Sequence, residues 1–114
     1  MAYLIIPIQS TSATVNITSG VQTLSDGNTY QSASLQYIAT GFNSADATLK
    51  LQASNVHNPT ENDWVDIVDS TKTIASGTST DYFVLSNIAM KNFRVVYTKN
   101  TNSAGTIAVY LNFN

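Results

Sequence analysis

Polar and apolar residues alternate along most of the chain. Val15 and Ile17 interleave with Thr14, Asn16 and Thr18, while Ala33, Leu35 and Tyr37 interleave with Ser34 and Gln36. Leu49, Leu51 and Ala53 alternate with Lys50 and Gln52, and Phe93, Val95 and Tyr97 with Arg94, Val96 and Thr98. Near the C-terminal end Ile107, Val109, Leu111 and Phe113 alternate with Ala108, Tyr110 and Asn112. A period of two sends successive side chains to opposite faces of a strand, so one set builds a core and the other meets solvent or a neighbour. Residues 21–24, 64–68 and 82–85 are shorter candidates, and 5–9 brings the expected total to eight or nine strands. Clusters rich in Ser, Asn, Asp and Gly separate them at 25–28, 41–44, 55–62, 76–77 and 100–105. No window carries a helical stripe, and the β-branched content argues against one. The pattern predicts an all-β fold, an antiparallel β-sandwich of jelly-roll type, with 10–114 as a single domain. Its clearest element is an antiparallel hairpin joining 92–98 to 106–113.

Residues 1–9 stand apart. Pro7 lies inside the apolar run Leu4-Ile5-Ile6-Pro7-Ile8, and a proline cannot donate to a ladder, so the segment belongs at a sheet edge or outside the sheet. Two readings follow. In the first, an edge strand uses Leu4, Ile6 and Ile8 to cap the core. In the second, the segment is an arm that adds to the open edge of a neighbouring subunit through those same residues. A related expectation concerns Val96, Ala108 and Tyr110, which alternate opposite the core set. Outward apolar or aromatic residues suggest a face covered by another subunit.

Composition narrows the function. Only 11% of the 114 residues are charged, against about 25% in ordinary globular chains. Ser, Thr and Asn fill the gap with 13, 15 and 12 residues. Such surfaces suit extracellular modules, fibres and particle exteriors. Five Lys and Arg in all, with a formal net charge of −2, argue against a nucleic-acid partner. With no Cys there is no disulfide framework, thiol nucleophile or zinc ribbon. The apolar run at 4–8 is far short of the roughly 20 residues of a membrane span. Neither positive charge nor a cleavage site marks the start as an export signal. An exterior-like surface without an export signal or disulfides fits a virion component, assembled in a reducing cytoplasm and exposed after lysis.

Catalytic chemistry finds little purchase, and the expectation is a protein that is not an enzyme and needs no cofactor or metal. His57 is the only histidine, so multi-histidine metal sites are out of reach. The 28 Ser and Thr put hydroxyls everywhere, but no nucleophile elbow Gly-x-Ser-x-Gly occurs. Glu61, Asp63, Asp66 and Asp69 cluster around Trp64, the ingredients of glycoside hydrolysis or of a calcium site. A single Glu and the absence of an Asp-x-Asp-x-Asp-Gly loop favour a solvated acidic loop. Trp64 has two readings, a plug at the sandwich end and a platform for a sugar ring. In the second, His57, Asn58 and Trp64 would be the natural contacts of a carbohydrate-binding module.

Four stretches carry a family resemblance: Leu49-Lys50-Leu51-Gln52-Ala53-Ser54-Asn55, Trp64-Val65-Asp66-Ile67, Phe93-Arg94-Val95-Val96-Tyr97-Thr98 and Gly105-Thr106-Ile107-Ala108-Val109. Over residues 34–113 the chain resembles small β-sandwich virion proteins of tailed bacteriophages. The resemblance implies a head-decoration, head-fibre or tail-associated protein, with other virion subunits as partners and a homo-oligomer or lattice array as its working form. The chain departs from that pattern at 55–63, where an extended loop containing Pro59 replaces a short turn and offers a partner-specific contact.

Overall fold

The computed structural model describes residues 3–24, 30–86 and 90–114, so the turn expected at 25–28 lies outside the described residues. Among these, ten strands form in the order β1 (Tyr3–Ser12), β2 (Ile17–Thr18), β3 (Gln22–Thr23), β4 (Ser32–Phe42), β5 (Thr48–Ser54), β6 (Val65–Asp66), β7 (Lys72–Thr73), β8 (Gly77–Ser86), β9 (Asn92–Thr98) and β10 (Thr106–Phe113). A 3-10 turn at Glu61–Asp63 precedes β6. All pairings are antiparallel. One sheet runs β1-β10-β4-β8, and the other β2-β9-β5-β6, with β3 also on β9 and β7 also on β5. The molecule is a jelly-roll-like β-sandwich measuring 43 × 29 × 22 Å.

The alternation dictates the core. Leu35, Tyr37, Leu49, Leu51, Phe93, Val95, Tyr97, Ile107, Val109 and Leu111 are all no more than 2% exposed. Each such side chain contributes about 1.5–3 kcal/mol on burial. Tyr97 can be buried because its hydroxyl donates to the carbonyl of Ala13 at 2.8 Å, which satisfies the polar end of the ring. Ring contacts tie the layers together, with Phe93 and Phe113 4.7 Å apart between centroids.

The hairpin expected between 92–98 and 106–113 does not form. β9 pairs with β5 from Thr48↔Thr98 to Ser54↔Asn92, whereas β10 pairs with β1 and β4. The two strands belong to opposite sheets, and their apolar faces meet across the core. Alternation specifies which face of a strand is buried and is silent about its neighbour. Residues 99–105 cross between the layers, and Asn102 anchors the crossing. Fully buried, it places Nδ2 within 2.8 Å of Ala104 O, 3.2 Å of Ala13 O and 3.3 Å of the Tyr97 hydroxyl. Its Oδ1 accepts from the Asn43 amide at 3.0 Å.

β1 takes the edge position that Pro7 requires, but its side chains do not divide as the sequence suggests. Leu4 is 69% and Ile6 50% exposed, while Ile8 is buried at 3%. Register shifts lie between Ile5 and Ile8 and between Ile8 and Thr11. An inserted residue inverts the parity of a strand, so Ile5 and Ile8 face the core and Leu4 and Ile6 face outward. Ile8 therefore fills the interior and is no interface residue.

Candidate functional site

The outer face of the β2-β9-β5-β6 sheet carries a chain of polar contacts. Arg94 projects from β9, where a regular strand gives it the same face as Asn92 and Val96. Its guanidinium donates from both terminal nitrogens to the Glu61 carboxylate, at 3.0 and 3.2 Å, and from Nε to Gln52 Oε1 at 2.8 Å. Gln52 in turn donates to Asp66 at 2.8 Å, and Lys50 lies 3.1 Å from the same carboxylate. Trp64, which follows the 3-10 turn, holds its ring 4.5 Å from the guanidinium carbon, a cation–π distance. Arg94 is thus enclosed at 9% exposure. Trp64 is half-buried outside the hydrophobic core, so it covers an arginine instead of plugging the sandwich end.

The remaining carboxylates of the acidic segment go elsewhere. Asp63 accepts from the Thr60 amide and hydroxyl at 2.7 and 2.9 Å, which closes the 3-10 turn. Asp69 occupies a left-handed conformation with φ of 64°. Among the described residues no group of three or more His, Cys, Asp or Glu could hold a metal ion, and none of these carboxylates is set against His57.

His57 and Asn58 lie on an exposed loop, Asn58 with φ of 52°. With Pro59 they form one wall of a groove of about 400 Å³, completed by Val21, Thr23 and Asn92. Asn92 forms its floor and is committed to structure: Nδ2 donates to Ser54 O and Val56 O at 2.9 and 3.0 Å, and Oδ1 accepts from the Thr23 hydroxyl at 2.8 Å. A smaller hollow of about 260 Å³ adjoins it, lined by Asn55, Val56 and Lys91. Of the sugar contacts expected from sequence, His57 and Asn58 share this groove and Trp64 does not line it. Asn92 and Arg94 stand about 7 Å apart on one strand face, so groove and arginine network are neighbours.

The expected interface residues fall on two different surfaces. Val96 pairs with Lys50 and belongs to the Arg94 face. Ala108, buried at 6%, and half-buried Tyr110 belong to the outer face of the other sheet. There they join Leu4 and Ile6 of β1, together with residues the sequence reading did not single out: Ile38 of β4 and Tyr82 and Val84 of β8, which are 38%, 64% and 62% exposed. Their signal was present, since Ile38 sits one step out of phase with Leu35 and Tyr37. Tyr82 and Val84 were obscured by Phe83 and Leu85, which alternate with them.

Two predictions arise here. Arg94→Ala is expected to lower stability, because it strips half-buried Gln52 of a partner and uncovers the underlying sheet, while exposed Glu61 returns to water. Chemical denaturation with Trp64 fluorescence checks it, and the folded-state emission should shift as the guanidinium leaves the indole. The second concerns pH. Hydrogen bonds from Arg94 hold Glu61 below its ordinary value, those from Gln52 then Lys50 do so for Asp66, those from Thr101 then Ser44 for Asp46, and the one from Lys72 first for Asp81. A carboxyl depressed on folding stabilises the native state above its unfolded pKa, and that contribution disappears as pH falls through the native one. Burial raises the Tyr37 and Tyr97 hydroxyls and a bond to Asp81 raises Lys72. Those contributions are complete below the unfolded values and are lost at alkaline pH. The urea midpoint should therefore be flat from about pH 5 to about pH 9 and fall on both sides. A midpoint still rising below pH 4 would contradict this.

No family model matches the chain, and no curated protein matches it. Solved structures do match in fold. The K2 cleaved adhesin domain of Lys-gingipain superposes with a TM-score of 0.60 at 10% identity, over 92% of this chain and 70% of that one. The K3 cleaved adhesin domain, from Porphyromonas gingivalis W83, gives 0.58 at 8% identity, over 92% and 73%. A CBM4 structure gives 0.51 at 14% identity over 82% of this chain, which spans 56% of that one. At these identities the likeness is one of architecture, and the chain is similar to adhesin-type β-sandwiches.

Proposed function

We propose that this chain is a virion structural protein of capsid-decoration or auxiliary-head type, which works by surface contact and performs no chemistry. One observation carries the reading: the outer face of the β1-β10-β4-β8 sheet presents Leu4, Ile6, Ile38, Tyr82 and Val84 to solvent. Exposed apolar patches of several hundred Å² mark interaction surfaces. The Ser-, Thr- and Asn-rich surface and the phage-like sequence pattern supply the context, and repeated weak contacts on a lattice would supply avidity. His57, the natural general base, stands on an open loop, while Glu61, Asp63 and Asp66 are engaged by Arg94, Thr60, and Gln52 with Lys50. Mass spectrometry and microscopy of purified particles test the proposal. The chain should be present in many ordered copies, and particles that lack it would refute the assignment.

A second reading, a carbohydrate-binding module, is favoured by one feature. The groove at His57 and Asn58 is lined by uncharged amide, hydroxyl, imidazole and apolar groups, which suits a neutral polyhydroxyl ligand. A glycan array checks it: hits that vanish in the His57→Ala, Asn58→Ala double variant support the groove, and a blank array removes it.

A further inference from the structure

We infer that the outer face of the β1-β10-β4-β8 sheet is covered by the same face of a second copy of this chain, in a two-fold symmetric, sheet-on-sheet dimer. The inference deepens the contact role proposed above by naming the partner of that surface.

The charge distribution comes first. The outward positions of this sheet hold no charged residue. β1, β4 and β10 contain none at all. The one charge on β8, Asp81, stands opposite buried Tyr37 and ion-pairs with Lys72 of the other sheet at 2.8 Å. Lys50, Asp66, Glu61 and Arg94 all belong to the opposite surface of the sandwich. In a two-fold contact each residue near the axis meets its own kind, so a charge there would repel its copy. A charged partner of another type would have nothing to pair with here.

The polar groups point the same way. The register aligns Leu4, Asn112, Ser34 and Val84 across the sheet, and Tyr110, Gln36 and Tyr82 in the row beside them. Amides and hydroxyls each carry both donor and acceptor, so Ser34, Gln36, Tyr82 and Tyr110 can bond to their own counterparts.

Size and edges complete the case. Four strands about 4.8 Å apart and up to about ten residues long give a plane of roughly 20 by 33 Å. That plane, on the order of 660 Å² before side-chain relief, approaches the roughly 800 Å² per partner of a stable interface. Edge-to-edge pairing is discouraged at both ends, by Pro7 and two bulges in β1 and by the inward charge of Asp81 in β8. The face itself is left for contact.

Sedimentation of the isolated protein tests the inference, using exposed Gln36 at the centre of the face. Wild type should sediment as a dimer. Gln36→Glu and Gln36→Lys should each weaken self-association by about tenfold or more, with the circular dichroism spectrum of the folded chain unchanged. Mixing the two in equal amounts should restore a dimer through the opposed charges. Val68→Lys, on a loop elsewhere and 81% exposed, should leave the dimer intact. A wild-type monomer, or self-association indifferent to the charge at position 36, would overturn the inference. Neither result touches the particle assignment, which mass spectrometry decides separately.

Discussion

Gly105→Ala is expected to abolish stable folding, or to cost at least about 4 kcal/mol if a native population survives. Gly105 immediately precedes β10 with φ of +90°, a conformation that side chains with a Cβ adopt at a cost of about 1 kcal/mol or more. Space makes the cost larger. A Cβ built there would lie 2.2 Å from the carbonyl oxygen of Thr40 and 2.9 Å from both the carbonyl carbon and oxygen of Gly41. All three obstacles are backbone atoms, so no rotamer change relieves the overlap. The end of β4 would have to move away from the start of β10, opening the pairing of Thr40 with Thr106. The Gly105 carbonyl also accepts from the Ala13 amide at 2.9 Å, so the displacement would reach the link between β1 and β2. Urea denaturation followed by circular dichroism measures the loss. Gly77→Ala is the internal comparison: it too has positive φ, at 82°, but a Cβ there meets nothing within 4 Å. It should cost only about 1 kcal/mol. Equal losses at the two positions would show that the close approach is not what matters.

Asn102→Ala should be nearly as damaging, at about 3–5 kcal/mol. The residue is fully buried, and its amide serves carbonyls of Ala13 and Ala104 and the amide of Asn43. Truncation opens a small void and strips the part-buried Asn43 amide and Ala104 carbonyl of their partners, while Ala13 O keeps the Tyr97 hydroxyl. Each unsatisfied buried polar group costs about 1–3 kcal/mol, and the penalties share one network. Asn102→Asp keeps the shape and the acceptor that receives the Asn43 amide. It replaces the donor with a carboxylate facing the carbonyls of Ala13 and Ala104, so it should not rescue stability at neutral pH. Thermal melts of both variants decide the matter. If Asn102→Asp were as stable as wild type, the donor side of this network would be irrelevant.

These two positions mark where the sequence stops being informative. The strands of the core were legible because β4, β5, β9 and β10 repeat a strict two-residue pattern, and their inward residues are the buried ones. Pairing was not legible. Phe93, Val95 and Tyr97 are as well suited to a hairpin with β10 as to packing across from it, and the choice is made by the crossing at 99–105. In the sequence Asn102 is one turn-forming residue among several. The short strands β2, β3 and β6 fall within the segments expected at 14–18, 21–24 and 64–68, whereas β7, at Lys72–Thr73, has no periodicity to offer. In β1 the bulges beside Pro7 reverse the parity that a regular strand would have, which moves Ile8 inward and Leu4 and Ile6 outward.

The surfaces were legible in part. Outward apolar residues on β10 drew attention to the outer side of that strand. The face as a whole becomes visible only when β1, β4 and β8 are laid alongside it in register. The Arg94 network follows the same rule. A lone arginine between Phe93 and Val95 and a single glutamate at 61 are ordinary residues in the sequence, brought together by the 3-10 turn. His57 and Asn58 were expected on a loop and stand on one, but Trp64 is held apart from them by its arginine.

The pairing of β1 with β10 has a consequence for biosynthesis. A ribosome finishes β1 about a hundred residues before it supplies β10, the strand that pairs with it among the described residues, and contacts so distant in sequence form slowly. Until then Ile5 and Ile8 have no sheet to join, and β4 has no neighbour on the side where β10 will insert. The nascent polypeptide therefore waits, with aggregation-prone segments bare, for β10 to emerge. In a cell making many copies at once, the abundance of hydroxyl and amide side chains serves the chain before it is folded as well as after.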